Sequence, residues 1–210
     1  MRRCAPVFKA DGPGGAGKPL AVVMALTVAL LLTACSDGAE WRTKGLEADF
    51  PELAFELIAD TGGDFTETQL EGTVTLLFFG FTSCPDACPT TMARLRAVIG
   101  ELPESKQDEL KVLFVSVDPA RDDPERLAAY TRHYGPQFIG ATHDLERVTK
   151  LANRYGSSFE HGREQGGAEY PVVHGSTVLA FDREGRARLL IRSQDSIEAI
   201  VHDLRKLLAA

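Results

Sequence analysis

The stretch Gly80-Phe81-Thr82-Ser83-Cys84-Pro85-Asp86-Ala87-Cys88-Pro89 decides the fold, because a buried-type strand ends in it and a cysteine-bearing helix begins. Upstream, Thr73 to Phe81 is a nearly unbroken apolar, β-rich run, which suits a central strand covered on both faces. Downstream, from Pro85 or Asp86 to Gly100, Met92, Leu95, Val98 and Ile99 fall on one helical side, and Gly100 is placed to end the helix. Unpaired amides at a helix N-terminus stabilise negative charge, so this position favours thiolates at Cys84 and Cys88. If the helix covers both positions, their i,i+4 spacing puts both sulfurs on one face, with Cβ atoms about 5–6 Å apart.

Working outward, Phe55 to Ile58 and the segment after Gly62-Gly63 read as two short strands around a turn. Lys111 to Val117 is a second buried-type strand. Asp123-Pro124-Glu125 is a helix start, with Asp as cap and Pro in the first turn, and the helix runs to about Tyr134. Phe138 to Gly140 is a short strand and Leu145 to Tyr155 a helix. Thr177 to Phe181 and Ala187 to Arg192 are strands joined by Asp182-Arg183-Glu184-Gly185, and an amphipathic helix from Ile197 to Leu208 closes the domain. The order predicts an α/β, thioredoxin-like fold: a central mixed β-sheet flanked by helices, with an N-terminal β-hairpin.

The front of the chain reads as an address. Arg2, Arg3, Lys9 and Lys18 precede an apolar run from Leu20 to Leu32, too short to span a bilayer comfortably but suited to a signal-peptide core. Leu32-Thr33-Ala34-Cys35 looks like a bacterial lipobox, which predicts cleavage after residue 34 and lipidation of Cys35. The competing readings are a plain signal peptide with a chance cysteine and a retained transmembrane anchor. Every one of them puts the domain outside the cytoplasm, in the cell envelope. The expected division is a signal peptide over 1–34, a tether over 35–50 with Trp41 as a docking residue, and a domain over 51–210. Losing residues 1–34 removes four cationic side chains and Asp11, moving the net charge from −7 to −10. An acidic domain without a basic cluster is a poor nucleic-acid binder.

With Cys4 and Cys35 assigned to the leader and the anchor, the domain keeps only Cys84 and Cys88, which excludes a disulfide scaffold. Two soft thiolates suit copper(I) or zinc, and two cysteines are too few for an iron–sulfur cluster. A third ligand must come from elsewhere. His133, His143, His161 and His202 sit among charged or polar neighbours and read as surface histidines. His174, in Tyr170-Pro171-Val172-Val173-His174-Gly175-Ser176-Thr177, lies just before the penultimate strand. In a thioredoxin-like fold that loop faces the start of the cysteine helix. Two thiolates and an imidazole accommodate both Cu+ and Cu2+. Met92 is better explained by core packing than by ligation.

CPDACP, the stretch Val117-Asp118-Pro119-Ala120-Arg121-Asp122 and YPVVHGS together resemble the Sco/SenC family of copper chaperones, over about residues 50–208. The resemblance implies metal ligation by Cys84, Cys88 and His174 and a role in building the binuclear copper-A centre of cytochrome c oxidase. Its partners would then be the copper-A-bearing subunit, an upstream copper donor and a thioredoxin-like reductant, with the membrane reached through the lipid anchor. The resemblance also places the Asp118–Asp122 loop near the site, with Asp122 supporting the ligands and Asp118 forming the loop. The competing reading is that both carboxylates cap the helix beginning at Pro124. Where the family often has Asp-His-Ser, this chain has Val173-His174-Gly175, so a carboxylate beside the histidine is missing and Gly175 loosens its segment.

Two rivals share the fold. A thiol–disulfide oxidoreductase could use Cys84 and Cys88 as a redox pair. Against it, the usual spacing is CxxC, and Ser176 stands where thioredoxins carry a cis-proline. A peroxidase would need an arginine beside the cysteine, and the sequence supplies none obviously near Cys84. Ligand exchange is binding chemistry, so the chain is read as a metallochaperone and not as an enzyme.

Overall fold

The computed structural model describes residues 40–157, 159–161, 172–174 and 176–210, with backbone only at 160–161 and 172–174. The expected signal segment and Cys35 lie outside the described residues. Ten strands and five helices follow in chain order. The strands are β1 (Lys44–Gly45), β2 (Glu56–Ala59), β3 (Asp64–Thr66), β4 (Val74–Gly80), β5 (Leu110–Ser116), β6 (Phe138–Thr142), β7 (Phe159–His161), β8 (Val172–His174), β9 (Val178–Phe181) and β10 (Ala187–Ile191). The helices are α1 (Ala87–Gly100), α2 (Glu104–Gln107), α3 (Pro124–Arg132), α4 (Leu145–Arg154) and α5 (Ile197–Ala209), and a 3-10 turn spans Glu67–Leu70.

Eight strands form one mixed sheet in the order β1-β10-β9-β4-β5-β6-β2-β3. The centre, β4-β5-β6, is parallel, and β9 runs antiparallel to β4 on its other side. β2 and β3 form the expected N-terminal hairpin. Every residue of β4 is buried, because the pleat sends alternate side chains into two separate cores. Leu76 and Phe78 pack with Met92, Leu95 and Leu204 from α1 and α5. Leu77 and Phe79 pack with Phe55, Val148 and Leu151 from the hairpin side and α4. This is the thioredoxin-like α/β sandwich that the unbroken apolar runs require.

A compact unit spans Trp41–Ala210, so residues 41–50, expected as part of a tether with Trp41 as a docking residue, pack with the domain. β1 pairs with β10, and Trp41 packs on the α1/α5 core beneath Arg188 and Lys206. The fully buried carboxylate of Asp203 on α5 fastens this segment. It accepts from the Thr43 N–H and hydroxyl, both at 2.8 Å, and from the Arg42 N–H at 3.0 Å. A second difference is the small antiparallel sheet of β7 and β8, which puts the His174 backbone in a strand opposite Phe159 rather than in a loop. Among the described residues, no helix is long and apolar enough to cross a membrane.

Candidate metal centre

β4 ends at Gly80 and the chain turns sharply before α1, with the Cys84 N–H bonded to the Phe81 carbonyl at 3.2 Å. α1 begins only at Ala87, so Cys84 precedes the helix and Cys88 sits in its first turn. The two cysteines therefore do not share a helical face. Their relation is closer: the Cys88 N–H, one of the first-turn amides that lack a partner within the helix, donates to Cys84 Sγ at 3.4 Å. Asp86, at the N-cap position, makes no side-chain bond to those amides. The sulfur does a cap's work.

Exposure separates the two thiols. Cys88 is fully buried, whereas Cys84 is partly exposed. Burial pushes the Cys88 thiol well above its ordinary range. A bond from the Phe81 backbone opposes this, while Cys84 and the Asp122 charge add to it. For Cys88 the direction is opposite to the thiolate expected from the helix N-terminus, with burial as the largest cause. Behind its sulfur stands Gly80, where a Cβ would come within 2.8 Å of Cys88 Sγ and 2.6 Å of the Phe114 ring. Glycine is required there for close approach, a role the sequence stretch contains but does not announce.

The cysteine turn is held from β5 and α3. Asp122, fully buried, accepts from the Thr82 N–H at 2.8 Å, the Thr82 hydroxyl at 2.5 Å and the Ser116 hydroxyl at 2.6 Å. Asp118, also buried, pairs with Arg121, and its carbonyl accepts from the Arg121 and Asp122 amides to close the loop. The cap of α3 is Asp123, which accepts from the Arg126 N–H at 2.8 Å, so the capping role weighed for Asp118 and Asp122 falls to their neighbour. Arg126 then reaches back to the turn, donating to Thr82 Oγ1 at 2.7 Å and Ser83 Oγ at 2.8 Å. An arginine therefore stands beside the cysteine loop, contrary to the expectation that none is supplied near Cys84.

Of the expected third ligand, His174, only the backbone is described, and its imidazole lies outside the described residues. Among the described residues, no three His, Cys, Asp or Glu side chains converge as a metal-binding group. The topology still constrains His174. Val178, at the start of β9, pairs with Phe78 near the end of β4. Cys84 lies six residues beyond Phe78, and His174 lies four residues before Val178. Both segments leave the same end of the sheet, and four residues reach at most about 14 Å. Of the other histidines, His133 packs edge-on against Tyr134, His143 is bonded to the Asp144 N–H and carboxylate, and His202 neighbours Asp203. The His161 side chain lies outside the described residues.

Comparison with known proteins follows the same residues. The SCO1/SenC family model matches residues 45–209. A Stutzerimonas stutzeri protein named for copper binding is 33% identical over 162 residues, covering 77% of this chain and 78% of that one. The solution structure of apo Sco1 from Thermus thermophilus superposes with a TM-score of 0.71 at 33% identity, over 82% of this chain and 99% of that one. The crystal structure of Arabidopsis thaliana ScoI with copper bound superposes with a TM-score of 0.69 at 28% identity, over 75% and 98%. With a family match over most of its length and a fold shared with these structures, the chain belongs to the SCO1/SenC family.

Proposed function

We propose that this protein is a copper chaperone that holds one copper ion through Cys84, Cys88 and His174 and passes it to the copper-A-bearing subunit of cytochrome c oxidase during assembly. The observation that carries the reading is the cysteine pair, joined by the Cys88 N–H on Cys84 Sγ, at the sheet end from which the His174 segment also emerges. The donor set fits the cargo. Two sulfurs and an imidazole are soft enough for Cu+ and still serve Cu2+. Copper is what the Arabidopsis relative carries. A buried thiol with a raised pKa becomes a good ligand once a cation replaces its proton.

The unequal exposure of the sulfurs suggests an order of exchange. Cys84 is within reach of an incoming ligand while Cys88 is sealed beneath it, so an acceptor's thiolate or imidazole displaces Cys84 first and Cys88 last. Cargo then never enters solution as a free ion. A signal peptide over 1–34 and lipidation at Cys35 would hold the domain at the envelope membrane. Cys35→Ala should release it to the soluble fraction, and unchanged retention would favour a transmembrane tether.

A dithiol oxidoreductase is the second reading, favoured by the contact between the two cysteines. The burial of Cys88 does not decide against it, because the exposed Cys84 would attack a substrate disulfide and Cys88 would resolve the mixed disulfide from within the chain. Metal analysis of protein purified from the envelope separates the two. Copper in the parent and none in the Cys84→Ser/Cys88→Ser variant supports the chaperone. A copper-free parent that cycles between dithiol and disulfide supports the oxidoreductase.

A further inference from the structure

We infer that Arg126 is a positioning residue for Cys84, acting through the hydroxyl of Thr82. The inference rests on the reading of Cys84 and Cys88 as the copper-holding pair.

Cys88 is fixed by helix α1 and its buried surroundings, whereas Cys84 lies ahead of the helix, in the turn Phe81–Pro85, with its sulfur on the Cys88 N–H. Where its sulfur sits depends in part on what anchors that turn. Thr82 and Ser83 supply the anchor points. Arg126 donates from Nε to Thr82 Oγ1 at 2.7 Å and from its guanidinium end to Ser83 Oγ at 2.8 Å. The Thr82 hydroxyl donates to Asp122 Oδ1 at 2.5 Å, and Arg126 Nε lies 3.6 Å from that same oxygen. Cation, hydroxyl and buried anion thus form a closed triangle. The guanidinium presents two N–H groups in one rigid plane to the hydroxyls of two adjacent residues, which an ammonium cannot do with fixed geometry.

Removing Arg126 loosens the Cys84 turn, and a loosened Cys84 weakens loading.

The test is a double-mutant cycle on the full chain using Arg126→Ala and Thr82→Val, with Arg126→Lys as a second probe and melting temperature recorded for each. Cu+ affinity is read by competition with a chelator. Each single variant is expected to bind about tenfold more weakly. The double variant is expected to lose about the same tenfold, because Arg126 acts through Thr82. Arg126→Lys, with charge but no fork, recovers part of the loss. Additive losses, about a hundredfold in the double variant, or an Arg126→Ala affinity within about twofold of the parent, would overturn the inference. The reduction potential of the Cys84–Cys88 pair gives a metal-free reading. Each single variant and the double should shift the thiol–disulfide equilibrium about tenfold toward the dithiol, about 30 mV less negative, because a loosened turn presents Cys84 to Cys88 less often. An unchanged potential overturns the inference even in a parent that binds no copper, a result that would end the copper reading separately.

Discussion

The Cα of Gly80 and the sulfur of Cys88 are packed so tightly that a single added methyl would stand 2.8 Å from Sγ. The last residue of β4 is therefore part of the wall of the proposed metal centre. Gly80→Ala must push the sulfur or the Phe114 ring, and in a close-packed core this costs about 1–3 kcal/mol. Because the neighbour is a proposed ligand, Cu+ affinity should fall with stability. Chemical denaturation and chelator competition on the same variant check both.

Asp122 accepts three bonds from the ends of β4 and β5 with no exposure to solvent. Asp122→Ala orphans the Thr82 amide and two hydroxyls, and should destabilise the domain by about 3 kcal/mol. Asp118→Ala should cost less, because it breaks the pair with the partly exposed Arg121 and leaves the loop's backbone carbonyl bonds in place. The measurement is urea denaturation of both variants. A smaller loss for Asp122→Ala than for Asp118→Ala would contradict the assignment.

Asp203 ties the N-terminal segment to α5, and this makes an acid-sensitive joint. Burial alone would raise its pKa. Bonds from the Arg42 N–H, His202 and Thr43 more than offset this and leave it below the ordinary carboxylate value. A folded-state pKa below the unfolded one adds stability that is complete above the unfolded pKa, near 4, and is lost as pH falls through the depressed folded value. Trp41 is the only tryptophan, so its emission reports this joint directly. Asp203→Asn should remove the acid-dependent part of the stability and red-shift Trp41 emission at pH 7. An unshifted emission and an unchanged acid limb would contradict it.

Loading should release a proton from Cys88, since burial holds that thiol protonated at neutral pH. Apparent Cu+ affinity should therefore rise with pH, by about tenfold per unit for each proton expelled. Competition titrations between pH 6 and 8 read the slope, and Cys88→Ser should flatten it. A pH-independent affinity in the parent would mean that Cys88 is not a ligand.

The sheet was legible in the sequence because β4 and β5 are buried on both faces, so their apolar runs are uninterrupted. β1 and the β7–β8 sheet were not, because strands of two and three residues are too short to show a period. The cysteine pair was legible from its motif, but its geometry was not. The motif does not say that the helix starts at Ala87, nor that Cys88 is fully buried while Cys84 is not. Arg126 escaped notice because it lies 43 positions from Ser83, and only the packing of α3 against the turn brings them together.

X-ray absorption at the copper edge, on reduced protein loaded with one equivalent of Cu+, tests the central claim most directly. The account predicts two sulfur scatterers and one nitrogen in the parent, with the nitrogen lost in His174→Ala. An identical spectrum in that variant, or a parent spectrum with sulfur alone, would contradict it.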